Sequence, residues 1–379
     1  MTTVLLTLGR LPKALELARA LRSAGCRVLV AEPFERHLTG ASRSVECSFR
    51  VPAPALDREA YLQALADIVR REKVDIVLPV SEEILHVAAL HERLPKTVRI
   101  ASMPVASLLY VYDKQAFIAR CIEAGLAAPL TLPLAHESAV ELSMAGPTVV
   151  KPRHSCSGRG VRFLERGAAI PTLDESAVIQ TFVAGSLLST FGFARRGRLQ
   201  SNVVYRAAVL QGTVAVCFER IDATRAVEEW ISRFVAHTDF DGFVSFDLMM
   251  DQQGVIWGIE CNPRTTSGIH FVRPADLARS VLQPDDPQPW RFKPERLWQQ
   301  FYPCLTETQA SIFSVRFKDN FRNLWKARDV TWQRDDPWPF LGMPWTSWPI
   351  IERAMKHRCT FGEVAMRDLE WRETAENRL

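Results

Sequence analysis

The sequence predicts a protein of mixed α/β and α+β class whose first part is a parallel sheet flanked by helices. Strands and amphipathic helices alternate over residues 1–105, antiparallel strands dominate residues 106–280, and tryptophan and proline collect in residues 281–379. Strands that alternate with helices of this length form parallel sheets with helices on both faces. We therefore expect a Rossmann-like domain at 1–105, a second domain at 106–280 and a Trp/Pro-rich C-terminal extension at 281–379.

The expected elements of the N-terminal domain follow one another closely. The first helix has leucine and alanine at helical spacing and ends at Gly25, a residue that favours a helix C-terminus. The turn Leu8-Gly9-Arg10-Leu11 lacks the Gly-x-Gly-x-x-Gly pattern, so it does not indicate a dinucleotide site. The expected strands are 4–8, 27–31, 74–80 and 98–101, and the expected helices are 12–24, 57–73 and 81–93.

The middle of the chain changes character. Asp113 is suited to cap a helix that begins at Lys114 and closes at Ala124-Gly125. A second helix is expected at 223–236. The expected strands are 146–152, 161–164, 177–183, 188–194, 202–210 and 214–219, followed by a hairpin. This succession predicts an antiparallel α+β region.

The most informative stretch is Gly258-Ile259-Glu260-Cys261-Asn262-Pro263-Arg264. Strand side chains alternate with a period of two, so Glu260 and Asn262 point to one face, and Arg264 joins them if the strand runs that far. Cys261 has the opposite phase and is expected to face the core. The stretch therefore presents a carboxylate and a carboxamide together.

A third oxygen ligand comes from the preceding strand. Residues 242–250 connect to this stretch through the polar turn 251–254, and the hairpin places Asp247 diagonally across from Glu260 on the same face. Hard oxygen donors without histidine or thiolate suit Mg²⁺, especially Mg²⁺ that carries a nucleotide's phosphates. Taken alone, the three side chains are more typical of a solvated strand face. Their neighbours along the chain favour the metal site.

Two lysines and a glycine loop are those neighbours. Lys151 ends a β-branched strand and precedes the loop 154–160, in which glycine lets backbone N–H groups approach phosphate oxygens. Lys114, at the start of a helix, adds a second charge or is an ordinary surface residue. By itself the loop is equally compatible with a plain hairpin turn.

Composition narrows the class of protein further. The chain has 379 residues, 47% hydrophobic, and a net charge of +4 without a basic stripe, so we expect no nucleic-acid partner. Eight widely spaced cysteines without ligand spacing predict reduced thiols in a cytoplasmic protein. No apolar run is long enough for a transmembrane segment, and the N-terminus lacks the pattern of a signal peptide.

Taken together, these motifs resemble the ATP-grasp superfamily, which includes D-alanine–D-alanine ligase, biotin carboxylase and the carbamoyl phosphate synthetase large subunit. The resemblance covers about 270 residues, and the Glu-x-Asn-Pro-Arg element with its upstream aspartate is the most specific part. It implies a two-lobed ATP-grasp fold over 106–280 with a hinge near 180–183, preceded by the Rossmann-like domain. It also implies ATP and Mg²⁺ (or Mn²⁺) as cofactors.

The resemblance assigns roles to individual residues. Lys114 and Lys151 contact ATP phosphates, and a flexible loop with Ser155, Ser157, Gly158 and Gly160 closes over them. Asp247, Glu260 and Asn262 hold the metal. Arg264 stabilises charge on the transferring phosphoryl group, unless it serves as a structural ion-pair partner. The residues implied to contact adenine, partly by backbone, are Gln180, Thr181, Phe182 and Val183.

Two positions depart from the family pattern. Leu187 stands where many members have a ribose-binding acid, and Ser245 stands where an arginine often precedes the first metal ligand. Arg206 and Arg220, on neighbouring strands, are candidates to bind a substrate carboxylate. Ser267 and Gly268 belong to a loop that the resemblance places on the substrate side. His270 is a candidate base, although a surface or packing role fits it better.

The implied reaction is carboxylate–amine (C–N) ligation. A carboxylate attacks the γ-phosphoryl group of ATP to give an acyl phosphate and ADP, and an amine then displaces phosphate. The partners are thus small-molecule carboxylate and amine substrates, and family habit suggests a homodimer. The alternatives are a bicarbonate-using carboxylase or carbamoyl-phosphate-type enzyme, and a catalytically silent ATP-binding regulatory protein.

The C-terminal extension holds eight of the ten tryptophans, between Trp290 and Trp371. We interpret it first as a packing module or dimer contact, because aromatic side chains bury large areas. The second interpretation is a wall of the acceptor pocket. The third is peripheral membrane attachment through tryptophan and the basic run Lys356-His357-Arg358.

Overall fold

The computed structural model describes residues 1–155, 158–172, 176–286, 288–357 and 361–371. The chain forms two compact units. The first comprises 1–105, 207–221 and 264–379, and the second comprises 106–206 and 222–263. This division differs from the three predicted segments, 1–105, 106–280 and 281–379, which stay predictions.

The first unit begins with the predicted parallel sheet. Its strands run in the order β3-β2-β1-β4-β5, and every pairing is parallel. The strands are β1 (Thr3–Leu6), β2 (Arg27–Glu32), β3 (Cys47–Arg50), β4 (Ile76–Leu78) and β5 (Arg99–Ile100). The helices are α1 (Pro12–Ser23), α2 (Arg58–Glu72) and α3 (Ile84–Val87), with 3-10 turns at Thr39–Ala41 and Ala88–Glu92.

The spacing of hydrophobic residues explains why most strands and helices of the N-terminal sheet lie where the sequence predicts them. Leu5 and Leu29 of the sheet pack with Leu62 and Leu65 of α2 in one buried cluster. Asp57 caps α2, since its carboxylate accepts a hydrogen bond from the Ala60 N–H at 2.9 Å. The single helix expected at 81–93 was wrong, because the chain there forms the short α3 and a 3-10 turn.

The second unit contains two sets of antiparallel strands. One sheet has the order β6-β9-β7-β8, and the other strands of this unit follow the order β14-β13-β10-β11. The elements are α4 (Val105–Tyr112), α5 (Lys114–Glu123), β6 (Thr131–Pro133), α6 (Ala139–Ala145), β7 (Thr148–Pro152), β8 (Arg162–Leu164), β9 (Ala177–Thr181), β10 (Ser186–Arg195), β11 (Arg198–Gln211), β12 (Val214–Ile221), α7 (Arg225–His237), β13 (Gly242–Met250) and β14 (Ile256–Asn262). Strand β12 and the end of β11 belong to the first unit.

Aromatic side chains form the core of the second unit. Phe117 of α5 lies 5.2 Å from Phe234 of α7 between ring centroids, and Phe246 of β13 lies 5.3 Å from Trp230. Gly258 of β14 permits this packing, because a Cβ there would lie 2.5 Å from the Trp230 ring. The two helices thus lie against the strands that carry the predicted metal ligands.

The rest of the first unit is mainly helical. Strand β12 pairs antiparallel with β15, which pairs parallel with β16. The elements are a 3-10 turn (Ser267–Phe271), α8 (Pro274–Leu282), β15 (Leu297–Gln299), α9 (Phe301–Ala310), α10 (Phe317–Lys326), β16 (Arg328–Asp329), α11 (Trp338–Leu341), α12 (Met343–Thr346), α13 (Trp348–His357) and α14 (Phe361–Arg367). In the described part of the chain, no helix is long and apolar enough to cross a bilayer.

The tryptophans of this region divide into two groups. Trp290, Trp298 and Trp371 are buried, as the packing interpretation requires. The exposed group consists of Trp325, Trp332, Trp338, Trp345 and Trp348. Packing within the chain therefore accounts fully for three of these eight side chains and only in part for the other five, of which Trp332 lies against Phe340 and Trp345 under Arg36.

Candidate active site

The start of α5 fixes the first predicted lysine. The Asp113 carboxylate caps the helix by accepting from the Ala116 N–H at 2.9 Å. Its second oxygen lies 2.8 Å from Arg153 Nε and 2.9 Å from His154 Nε2. Burial acts to raise the pKa of Asp113, but these hydrogen bonds outweigh burial and hold the pKa well below its usual value. The anchored cap orients the residue that follows it.

Lys114 is buried, with 3% of its surface exposed, which excludes the surface-residue alternative. Its Nζ donates to the Ser155 carbonyl oxygen at 2.8 Å and lies 3.5 Å from Glu260 Oε2. Lys114 therefore links the start of the loop after β7 to the predicted metal ligands.

Lys151 lies on β7 and is equally buried, with 4% exposed. Its Nζ donates to the Ile259 carbonyl oxygen at 3.3 Å. Burial lowers the pKa of Lys151 to about 8, helped by the charge of Lys114 and opposed by Glu260 and Asp247. Two ammonium groups in one buried place favour a polyanionic ligand.

A β-bulge at Ile259 sets the register of the hairpin. Leu248 pairs with Gly258 and Asp247 pairs with Glu260, which leaves Ile259 as the extra residue. If the strands paired regularly with no bulge, Ile259 would pair with Asp247, and Glu260 would share a face with Phe246 instead. The predicted diagonal placement of Asp247 and Glu260 was wrong in detail, because the bulge puts the two carboxylates directly opposite each other.

The three predicted metal ligands come together on that face. Asn262 Nδ2 lies 3.5 Å from Asp247 Oδ2 and 3.4 Å from Glu260 Oε1. Ser189 of the neighbouring β10 donates its hydroxyl to Asp247 Oδ1 at 2.7 Å. Sequence analysis missed Ser189, because only the pairing of β10 with β13 brings it to Asp247.

The charges of the cluster keep the Glu260 carboxylate ionised. Burial acts to raise the pKa of Glu260, but the charges of Lys114 and Lys151 and hydrogen bonds outweigh it, so the pKa lies below its usual value. In the described part of the chain, no three His, Cys, Asp or Glu side chains gather as metal ligands. In the described arrangement the Asn262 NH₂ group faces both carboxylates. A metal here would be held by the two carboxylates and, with the Asn262 amide turned to face it, by the amide oxygen, a hard donor set that fits Mg²⁺.

The predicted phosphate loop is described in part. Ser155 is buried, and Gly158 and Gly160 have left-handed φ values of 67° and 74°. Ser157 lies outside the described residues, as does Cys156. The glycine conformations are those that side chains disfavour, so this loop requires glycine at both positions.

The predicted adenine segment lies at the end of β9. Gln180 is buried and donates to Thr131 Oγ1 at 2.8 Å. The N–H groups of Thr181 and Phe182 donate to the carbonyl oxygens of Leu130 and Pro147, both at 3.0 Å. Val183 follows the strand in a half-buried position. Backbone contacts to a base from Thr181 or Phe182 would therefore use carbonyl oxygens.

An exposed aromatic pair beside this segment was also missed by sequence analysis. The Phe163 ring on β8 stands 6.1 Å from the Phe182 ring in an edge-on arrangement. Both rings are exposed to solvent, Phe163 to 70%. Phe163 is one of several apolar residues in an unremarkable strand sequence, so no local signal identified it.

Arg264 lies beyond the end of β14, because the strand stops at Asn262. It belongs to the first unit, where its guanidinium forms a buried ion pair with Glu82. The following Thr265 is held by its hydroxyl, which donates to the Val80 carbonyl oxygen, and by Lys13 Nζ at 2.9 Å from the Thr265 carbonyl oxygen. Glu82 was not predicted, although an acid just after a parallel strand is a usual signal of a site.

The remaining candidates have diverse surroundings. Ser267 and Gly268 begin the 3-10 turn, and Gly268 is buried. Arg206 is exposed on β11 in the second unit. Arg220, in the first unit, has its guanidinium 5.0 Å from the Phe292 ring centroid. Leu187, where a ribose-binding acid was expected, is half exposed on β10.

His270 has a structural environment. Its ring is buried, with Nδ1 3.0 Å from Glu16 Oε2, and Lys293 Nζ lies 2.7 Å from the other Glu16 oxygen. Burial lowers the pKa of His270. This closed network explains why the packing role fits His270 better than that of a base. Cys261 is buried, as its strand phase predicted.

Comparison with known proteins identifies the domain. The sequence model of the ATP-grasp domain matches residues 111–268, which contain both lysines and the Asp247/Glu260/Asn262 cluster. No curated protein sequence matches the chain.

Solved structures resemble a larger part of the chain. The L-amino acid ligase from Bacillus licheniformis has a TM-score of 0.59 at 15% identity, covering 75% of this chain and 73% of that chain. The N5-carboxyaminoimidazole synthetase from Staphylococcus aureus has a TM-score of 0.59 at 14% identity, covering 77% and 80%.

A third structure contains a nucleotide. The biotin carboxylase domain dimer of the Hydrogenobacter thermophilus 2-oxoglutarate carboxylase, in complex with MgADP, ADP and bicarbonate, has a TM-score of 0.60 at 12% identity, covering 74% and 69%. At these identities the likeness shows the fold. The predicted Rossmann-like and ATP-grasp architecture is therefore confirmed.

Proposed function

We propose that this chain, whose residues 111–268 match the ATP-grasp domain, is an ATP-dependent carboxylate–amine ligase. The observation that carries the proposal is the buried cluster in which Lys114 and Lys151 adjoin two carboxylates and Asn262. Its cations suit nucleotide phosphates, and its oxygen ligands suit the Mg²⁺ that accompanies them. An ordinary solvated strand face would need neither buried lysine.

The nucleotide would lie between the lysines and the end of β9. Lys114 and Lys151 neutralise phosphate charge, and the loop with Ser155, Ser157, Gly158 and Gly160 covers the phosphates. The segment from Gln180 to Val183 takes the base, with the exposed Phe182 ring available for stacking. Leu187 has no carboxylate to bind the ribose hydroxyls, so we infer that ATP binding depends on contacts to the phosphates and the base.

The metal would be held by Asp247, Glu260 and the amide oxygen of Asn262. Ser189 fixes one oxygen of Asp247 by its hydrogen bond. The second oxygen, which faces Asn262 Nδ2 at 3.5 Å, would be the metal ligand. When bound, Mg²⁺ would neutralise phosphate charge as phosphoryl transfer proceeds. The protein's part is to hold these oxygens in place beside the two lysines.

The proposed reaction has two steps, phosphoryl transfer and then amide formation. A substrate carboxylate oxygen attacks the γ-phosphorus of ATP, and the bond to ADP breaks. An amine nitrogen then attacks the acyl carbon, phosphate leaves, and the amine gives up a proton as the amide forms. We propose that Arg264, with its guanidinium held by Glu82, stabilises charge in the first step.

The substrates are proposed by class only. Arg206 and Arg220 are the cations proposed for a substrate carboxylate, and Ser267 and Gly268 are proposed to adjoin the acceptor. A small acid or amino acid and an amine are the expected pair. The described cysteines are free thiols, which supports the proposal of a cytoplasmic enzyme. We also propose a homodimer, the state of the Hydrogenobacter biotin carboxylase domain.

Two substitutions in the cluster test the proposal. Glu260→Gln removes a metal-binding charge, and Asn262→Ala removes the amide, so each is expected to lower ATP turnover at least about a hundredfold. Turnover is measured as ADP release with pooled amino acids and small acids. Glu228→Gln, at an exposed carboxylate on α7, is the matched control and should retain full turnover.

Circular dichroism and thermal melting establish that each variant is folded. Full turnover in both folded cluster variants would overturn the site assignment. ADP release that depends on bicarbonate alone would replace the ligase with a bicarbonate-using enzyme. ATP binding without turnover on any acid would support a regulatory ATP-binding protein instead.

A further inference from the structure

The turn between α9 and α10 carries large apolar side chains that nothing in the described structure covers. Phe313 is fully exposed, Val315 is 97% exposed, and Ile312 is half exposed. Such neighbouring apolar side chains on a surface mark an interaction site. Full exposure also means that they project outward, because residues lining a groove are partly covered by its walls.

Helix α10 continues this surface with a repeat. Three aromatic–basic pairs follow at four-residue spacing: Phe317-Lys318, Phe321-Arg322 and Trp325-Lys326. Residues four apart lie on one side of a helix, so the pairs form an aromatic stripe and an adjacent basic stripe. The ring centroids along the aromatic stripe are 5.8 Å and 6.2 Å apart, and Trp325 is 77% exposed.

The opposite side of α10 is anchored to the rest of the first unit. Asn320 is buried and donates to Ser311 Oγ at 3.0 Å, and Asn323 donates to the Ala208 carbonyl oxygen at 3.3 Å. The Gln299 amide donates to the carbonyl oxygens of Leu324 and Ala327 at 2.9 and 3.0 Å. The helix orientation is therefore fixed with both stripes facing solvent.

Charge on this surface is mostly of one sign. Residues 312–328 contain five basic side chains and one acidic side chain. Arg322 pairs with Asp319 at 3.0 Å, and Arg328 pairs with Glu295. A partner must therefore accept projecting apolar side chains and carry negative charge.

We propose that this 312–328 segment binds peripherally to a membrane surface that contains anionic lipid. An interfacial helix inserts aromatic residues while lysine or arginine contacts the lipid headgroups, and α10 presents both kinds of residue to solvent in adjacent stripes. Phe313 and Val315 would enter the headgroup and acyl boundary, while the basic stripe contacts lipid phosphates. A second copy of the chain fits less well, because it would bring two basic surfaces together.

Vesicle co-sedimentation with the full chain tests the proposal. The protein is expected to sediment with vesicles of phosphatidylcholine mixed with phosphatidylglycerol, less with phosphatidylcholine alone, and less again as salt rises. Each cation near an anionic membrane raises the partition coefficient by about a factor of five. Partitioning should therefore fall about a hundredfold in the triple variant Arg316→Gln, Lys318→Gln, Lys326→Gln.

A second variant separates the apolar contribution. Phe313→Ser with Val315→Ser should reduce partitioning at least about tenfold, because two apolar side chains no longer enter the bilayer. Leu56→Ser, at an exposed leucine (84%) elsewhere in the first unit, is the control and should partition like the native protein. The substituted side chains are exposed, so melting temperatures should be unchanged.

Three results would overturn the proposal. The first is equal partitioning onto anionic and neutral vesicles. The second is unchanged partitioning of both segment variants. The third is self-association in sedimentation velocity that the Phe313→Ser, Val315→Ser variant abolishes without any binding of vesicles, which would assign the surface to a second copy of the chain.

Discussion

Lys151 shows how a single side chain in this protein is prepared for an anion. It is buried on β7, its Nζ meets the carbonyl oxygen of the bulged Ile259, and Lys114 lies in the same cluster. Burial lowers the pKa of an ammonium because the charged form loses water. Bound phosphate would restore the lost stabilisation, so binding and protonation of Lys151 should be coupled.

The coupling predicts a pH dependence of ATP binding. The pKa of Lys151 in the free protein is about 8, so the side chain is charged below pH 8 and neutral well above it. ATP affinity, measured by calorimetry in EDTA, should be constant from pH 7 to about 8 and then fall by up to about tenfold per unit. Lys151→Arg, which stays charged, should remove the fall. An equal decline in both proteins would contradict this role.

Arg264 and Glu82 form a buried pair of opposite charges. Removing one partner leaves the other charge buried, which typically costs about 3–5 kcal/mol of unfolding free energy. Arg264→Met should therefore destabilise the protein by about that amount in urea unfolding. The double variant Arg264→Met, Glu82→Gln should recover most of the loss. Additive losses in the double variant would show that the two side chains do not depend on each other.

Site residues that short sequence motifs define were predictable, and the partners that reach them from distant parts of the chain were not. Asp113 as a cap, the two lysines and the Glu260/Asn262 pair are defined within a few residues, so pattern alone identified them. Ser189 and Glu82 act through residues 58 and 182 positions away, respectively. Their roles arise only when strands pair or when the chain returns to the first unit.

The β13–β14 hairpin is the element on which the site depends. Its bulge at Ile259 puts Asp247 opposite Glu260 and presents the Ile259 carbonyl oxygen to Lys151. Gly258 precedes the extra residue, and an isolated glycine in a strand often marks a bulge, but it does not say which residue is extra, so the exact register was not predictable. The shared face was predictable, because hydrophobic alternation fixes which side chains enter the core.

Gly258 controls how closely α7 can approach this hairpin. A Cβ at 258 would lie 2.5 Å from the Trp230 ring, which belongs to the aromatic core. Gly258→Ala should therefore cost about 1–3 kcal/mol of unfolding free energy through overpacking. Urea unfolding with Gly146→Ala as control tests this, because a Cβ at 146 meets no atom within 4 Å. Equal stability of the two variants would show that Trp230 adjusts without cost.

The C-terminal helices were the elements least visible in the sequence. Helices α11, α12 and α13 are short, and each has proline at its second residue. Proline is well suited to the first turn of a helix, so each Trp-Pro or Met-Pro pair was a usable start signal. The prolines also resemble loop signals, and no long amphipathic pattern followed to decide between the two.

The whole molecule combines a parallel sheet, an ATP-grasp domain and a largely helical C-terminal part. The alternating strands and helices of the N-terminal sheet and the β13–β14 hairpin were predictable, because each has its own periodicity. Which residues form each compact unit was not predictable, since residues 207–221 and 264–379 group with the N-terminal sheet. Sequence order alone does not reveal such a return of the chain.

The central claim is that this protein activates a carboxylate through phosphoryl transfer from ATP. The most direct test is to incubate the purified protein with ATP, Mg²⁺ and pooled acids and amines, and to identify the nucleotide products together with any new mass. We predict ADP and phosphate, formed only when a particular acid is present, with a new mass that corresponds to an amide. AMP and pyrophosphate would instead show adenylation and would contradict the account.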